Sequence, residues 1–179
     1  MTRYVALLRA VNVGGHNRVA MADLRAAAVS RGYRNVTTYI NSGNALFDAD
    51  ADRAGVQADW LALVRDDLGV DVPVCVLGAD EIVAAVGAAP DWWNRGDRQR
   101  HEAVFAVPPL TGADVAGRLG PPPDGGERVA ACGQVLFWSG PMSDYAHTGW
   151  AKATGDKALH RAITVRNAAT TLRLAALAR

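Results

Sequence analysis

Cysteine is scarce in this chain of 179 residues: Cys75 and Cys132 stand far apart, with no Cys-x-x-Cys spacing and no neighbouring histidine. That pattern excludes the usual zinc-ribbon and thioredoxin-like motifs. Both cysteines, in Val74-Cys75-Val76 and Ala131-Cys132-Gly133, read as buried thiols in strands. No apolar run approaches the roughly 20 residues that span a bilayer. The Met1-Thr2-Arg3 start leads into a strand-like segment without the small-residue cleavage site of a secretory signal. The expectation is a cytoplasmic protein with no membrane partner.

Catalytic signatures are missing too. There is no Gly-x-Gly-x-x-Gly, and no Lys-Ser or Lys-Thr follows the early glycines at P-loop spacing, so dinucleotide binding and nucleotide hydrolysis lose their usual phosphate cradle. His16, His101, His147 and His160 are scattered, without the i, i+4 pairing of a helical zinc site. Ser42 does not occupy a Gly-x-Ser-x-Gly elbow. No metal and no cofactor are expected, and Asp144 with His147 is the only local acid and histidine to inspect for proton transfer.

What is present suffices for a folded protein. Half of the residues are hydrophobic and 21% are charged, enough to bury a core without staples. The net charge of +1 is uneven: residues 1–50, 51–100, 101–150 and 151–179 carry +3, −4, −3 and +5. If the fold brings the basic ends together, it favours an anionic ligand. The near-zero total argues against a general nucleic-acid role without excluding one.

Hydrophobic periodicity predicts a strand over Tyr4–Val11 and a helix with Met21, Leu24 and Val29 on one face, stopped by Gly32. Val36–Ile40 and Ala45-Leu46-Phe47 flank Asn41-Ser42-Gly43-Asn44, a hairpin. A second helix carries Val56, Trp60, Val64 and Leu68 at a spacing of four and stops at Gly69, before a strand over Pro73–Leu77. This is the split βαβ order of a ferredoxin-like fold, two helices on one face of an antiparallel sheet with the other face free. The order recurs less clearly. A helix over Asp80–Val86 and a Trp92-Trp93 connector lead to a strand over Glu102–Val107 and a helix near Thr111–Leu119. After the Pro121–Gly126 loop come strands at Arg128–Ala131 and Val135–Trp138, a helix between Gly149 and Arg161, a strand over Ile163–Val165 and a helix over Asn167–Ala178. The expected class is α+β: two consecutive ferredoxin-like (α-β plait) domains with antiparallel sheets. They span residues 1–78 and 79–179, the second including the connector and the C-terminal helix.

Several blocks in this order resemble the bacterial domain of unknown function 1697: Tyr4 through Gly15, Met21-Ala22-Asp23-Leu24, Thr38 through Asn44, and Thr164-Val165-Arg166-Asn167. The resemblance covers nearly the whole chain. It implies tandem ferredoxin-like domains and no established activity. Ala10 stands where the family usually has Gly, and Ala168 where it usually has Trp.

The polar blocks supply the candidate site. An arginine inside an apolar strand pattern costs stability unless it is engaged, so Arg9, Asn12, Arg166 and Asn167 read as held for binding. Gly14 and Gly15 would let backbone N–H groups approach an anion, although a strand-to-helix turn explains them as well. Asn41, Ser42 and Asn44 are turn residues that present polar side chains. Arg166 offers a guanidinium fork for a phosphate or carboxylate, or an interdomain ion pair, and Asn167 fits a helix cap. These residues point to a binding module for a small anionic or phosphorylated ligand. The alternatives are an enzyme using the same cleft, or an RNA or protein scaffold using open sheet faces with Tyr4 and Phe47 at the strand ends. Oligomeric state is not legible.

Overall fold

β-Branched and aromatic runs form the strands, and residues tolerant of a left-handed backbone end them. The computed structural model describes residues 1–96, 98–122, 126–143, 145–153 and 155–179. Its first elements are β1 (Thr2–Leu8), α1 (Met21–Ser30), β2 (Arg34–Thr38), β3 (Asn44–Ala49), α2 (Arg53–Ala62) and β4 (Val74–Gly78). The strands form an antiparallel sheet in the order β2-β3-β1-β4, with Tyr4 opposite Phe47 and Ala6 opposite both Ala45 and Val76.

α3 (Ala79–Gly87) and a connector lead to β5 (Gln99–Ala106), α4 (Gly112–Leu119), β6 (Arg128–Cys132) and β7 (Val135–Pro141). Two short helices, α5 (Gly149–Ala153) and α6 (Lys157–Arg161), then precede β8 (Ile163–Asn167) and α7 (Ala168–Ala178). The second sheet is antiparallel in the order β6-β7-β5-β8. The protein is thus α+β, with two four-stranded antiparallel sheets of the same strand order. Met1–Val83 with Leu174–Arg179 make one compact unit, and Ala84–Arg173 the other.

In the first unit the sheet buries Tyr4, Ala6, Leu8, Phe47, Val74 and Val76 against Leu24 and Ala28 of α1 and Val56 and Trp60 of α2. The predicted spacing of four runs through a π-helical turn at Leu63–Asp67, where Leu63 and Val64 are both buried. In the second unit Val104, Leu136, Trp138 and Ile163 pack with Val115, Trp150 and Leu159.

Four expectations need correction. β1 ends at Leu8 rather than Val11: the Arg9 N–H still bonds the Pro73 carbonyl (2.9 Å), but Pro73 has no N–H to extend the ladder, and Ala10 and Asn12 take positive φ. Val29 is 54% exposed, since the small Ala27 and Ala28 fill the face that α1 turns inward. The helix between Gly149 and Arg161 is broken in two, α6 starting afresh where the Asp156 carboxylate accepts from the N–H groups of Ala158 (2.8 Å) and Leu159 (3.3 Å). Nor is either sheet face free. Val5, Leu7, Leu46, Cys75 and Leu77 alternate with the helix-facing positions of the first sheet and are at most 1% exposed, as are Ala103, Phe105, Phe137 and Ser139 in the second. Tyr4 and Phe47 lie stacked beneath the helices, 5.9 Å between centroids, and present no ring to a base.

Among the described residues no helix is long and apolar enough to cross a membrane. No disulfide forms; Cys75 is buried and Cys132 half-buried.

Candidate functional site

The loop after β1 is built from its own backbone. Val13 and His16 form an isolated bridge, the His16 N–H donating to the Val13 carbonyl (3.2 Å), and Gly14 and Gly15 turn between them in the left-handed region. Asn12 closes the loop. Its Nδ2 donates to the carbonyls of Val19 (2.8 Å) and Asn41 (2.9 Å), while its Oδ1 accepts from the Val19 N–H (2.9 Å). One amide therefore ties the segment entering α1 to the turn between β2 and β3. Arg9 is half-buried with its Nε enclosed, and burial holds its guanidinium below the ordinary pKa.

Ala10 has φ 48°, a conformation glycine adopts freely and alanine at a cost of about 1 kcal/mol. Ala10→Gly is expected to stabilise the protein by about 0.5 kcal/mol in urea unfolding, because the extra freedom of glycine in the unfolded chain offsets part of the relief. A loss of stability would show that the Ala10 methyl is worth more than the strain.

The 41–44 turn is equally constrained. The buried Asn44 amide donates to the Tyr39 carbonyl and to Ser42 Oγ, both at 3.0 Å, and the Gly43 carbonyl accepts from the Leu8 N–H at 2.8 Å. Ile40, 50% exposed, has φ 48°, a strained conformation for a β-branched residue.

These two loops and the start of α1 border an open groove of about 720 Å³, whose lining includes Asn12, Gly15, Arg18, Met21, Ala22 and Asn41. The N-cap of α1 is Ala20, which offers no side-chain acceptor to the first-turn N–H groups. Of the residues singled out from sequence, Asn12, Gly15 and Asn41 line this groove; Arg9, Gly14, Ser42 and Asn44 build the loops around it. Arg18 was missed. Its only signal was a basic residue just before a helix that lacks a capping side chain.

Arg166 and Asn167 belong to the second unit. Arg166, 7% exposed, uses Nη1 on Thr164 Oγ1 (2.9 Å) and the Val165 carbonyl (2.8 Å) of its own strand. Asn167 Oδ1 accepts from the Thr170 N–H (2.8 Å) and so caps α7. Asp144 and the side chain of Lys152 lie outside the described residues, leaving His147 as an exposed residue of a short 3-10 turn. His101 Nδ1 hydrogen-bonds Ser139 Oγ, but Ser139 is fully buried and out of reach of a substrate.

The buried polar chemistry of the second unit is occupied by packing. Glu102 accepts from Trp150 Nε1 (2.8 Å) and pairs with Arg100, whose guanidinium lies 4.6 Å from the Tyr145 ring centroid. Burial, reinforced by the Glu102 charge, raises the Tyr145 pKa. Glu127 accepts from Trp138 Nε1 (2.8 Å) and from the Gly149 N–H at the start of α5 (2.7 Å). Among the described residues no group of three or more His, Cys, Asp or Glu side chains is placed to hold a metal ion.

No curated protein matches the sequence. Among solved structures the chain is similar to the conserved bacterial protein SP0830 from Streptococcus pneumoniae, with 27% identity, a TM-score of 0.86 and 99% of each chain covered. The family model described as "Protein of unknown function (DUF1697)" matches residues 1–137. With that match across most of its length, the chain belongs to the DUF1697 family.

Proposed function

We propose that each unit is a ferredoxin-like domain and that the protein, set in the cytoplasm, binds a small anionic or phosphorylated molecule in the groove at the start of α1. The shared strand order, with helices between β1 and β2, β3 and β4, β5 and β6, and β7 and β8, supports the domain assignment. Cys75 and Cys132 form no disulfide, which agrees with a reducing compartment.

The observation that carries the binding reading is the coincidence of three donors in one groove: the N–H groups of an uncapped first turn, the Arg18 guanidinium and the Asn41 amide. A helix N-terminus attracts anions through its oriented N–H groups, and a guanidinium adds a bidentate charged donor. Asn12 fixes the two loops relative to each other, so the donors are set before a ligand arrives.

A ligand that binds only the native state raises the melting temperature, by about 2.7 kcal/mol of stabilisation at a hundred times its Kd. Thermal shift with inorganic phosphate, a phosphosugar and a dicarboxylate should show an upward shift of several degrees with at least one probe. Arg18→Ala should abolish it. Asp23→Asn should enlarge it by removing a carboxylate from the first turn of α1. A shift that survives Arg18→Ala, or no shift in the folded wild type, would sink this site.

A further inference from the structure

A second cavity, of about 550 Å³, belongs wholly to the other unit and is lined by Trp92, Arg95, Gly96, Arg98, Gln99 and Arg128. It is lined by residues of the connector before β5 together with Gln99 of β5 and Arg128 of β6. The Gln99 N–H donates to the Gly96 carbonyl (3.3 Å), Gly96 turning with φ +98°, and the Arg98 carbonyl accepts from the Met142 N–H beyond β7 (3.2 Å). These turns set Arg95 and Arg98 on the same cavity as Arg128, the first residue of β6.

The adjacent tryptophans divide their work. Trp93 is buried, its Nε1 donating to the Glu102 carbonyl (3.0 Å) and its ring edge-on to Phe137 at 4.8 Å. It anchors the connector. Trp92 is only half-buried and lines the cavity.

The three arginines differ from six others in the chain. Arg3, Arg31, Arg34, Arg53, Arg65 and Arg100 each form an ion pair. Arg95, Arg98 and Arg128 are exposed and pair with no carboxylate among the described residues. Three like charges lining one cavity repel one another, and a polyanion relieves that repulsion. Guanidinium groups match phosphate oxygens as bidentate donors. An indole beside them offers a stacking face to a planar ring, and the Gln99 amide offers a donor and an acceptor to a ring edge or hydroxyl. The volume lies within the range of small-molecule sites, roughly 300–1,000 Å³.

We propose that this cavity binds a nucleoside polyphosphate, with its phosphates on Arg95, Arg98 and Arg128 and its base stacked on Trp92. The site is separate from the α1 groove, and its assignment does not depend on that reading.

Isothermal titration of the full chain carrying Arg18→Ala, which silences the first groove, tests it with ATP, GTP, tripolyphosphate and adenosine. ATP or GTP is expected to bind at one site per chain, more weakly as salt rises. Arg95→Ala with Arg128→Ala should weaken it at least tenfold. Trp92→Ala should weaken the nucleotide several-fold while leaving tripolyphosphate unchanged. All of these positions are exposed or half-exposed, and an unchanged melting temperature checks that each variant is folded. Absence of nucleotide binding overturns the proposal. So does nucleotide affinity indifferent to Trp92, which would mark a plain polyphosphate site, or a short RNA that binds the same arginines more tightly than any mononucleotide.

Discussion

Gly43→Ala is expected to cost the protein about 3 kcal/mol, read as a lowered urea midpoint with unchanged slope. Two effects add. Gly43 has φ +72°, where an L side chain costs about 1–2 kcal/mol. A Cβ there would also fall 2.5 Å from Val11 Cγ2 and 2.7 Å from Leu8 Cβ, inside a packed layer where overpacking typically costs about 1–3 kcal/mol. Gly32→Ala separates the two effects, because Gly32 has φ +91° but a methyl group at that position would meet nothing within 4 Å. It should lose only about 1 kcal/mol. Equal losses at the two positions would show that the close approach of the turn to β1 is unimportant. The Gly43 carbonyl also holds the Leu8 N–H, so a displaced turn would carry Asn41 out of the α1 groove. The anion-dependent thermal shift should therefore fall together with the stability.

Trp60→Ala should cost about 3–5 kcal/mol. Its side chain is fully buried, stacked on Phe47 at 4.6 Å between centroids and tilted against Tyr33 at 5.7 Å, so removal leaves a void under α2. Trp60→Phe should be much milder, near ~1 kcal/mol. The indole Nε1 is buried without a hydrogen-bond partner among the described residues. An unsatisfied buried donor costs about 1–3 kcal/mol, and phenylalanine removes it along with part of the volume. Chemical denaturation of both variants decides the matter: a phenylalanine variant as damaged as the alanine one would mean that the N–H is satisfied in solution.

Much of this fold was legible because local and tertiary preferences agree. Asn41–Asn44 reads as a turn from residue type alone, and the structure uses the polar groups of Asn41, Ser42 and Asn44 in hydrogen bonds that hold it. Val56, Trp60 and Val64 show their helical face in the spacing. Val29 misled because periodicity ranks residues by hydrophobicity, whereas the gap between α1 and its sheet admits alanine. The end of β1 depended on a partner more than sixty residues away, Pro73, which no local pattern reveals. The candidate sites were half legible for the same reason. Asn12 stood out, but its reach to Val19 and Asn41 is a matter of three-dimensional closure. Arg18, Arg95, Arg98 and Arg128 look like ordinary surface charges in the sequence; only the convergence of the last three on one cavity distinguishes them.

The first unit takes in Leu174–Arg179, and Leu174, Ala175 and Ala178 are buried at 0%, 2% and 5% exposure. Residues 84–173 separate these positions from Val83 in the order of synthesis. At about 5–20 residues per second, a ribosome needs at least several seconds to cross that interval. The unit begun first therefore receives its last six residues only after all of the other has been made. Early release of the chain would leave the unit begun first still unfinished.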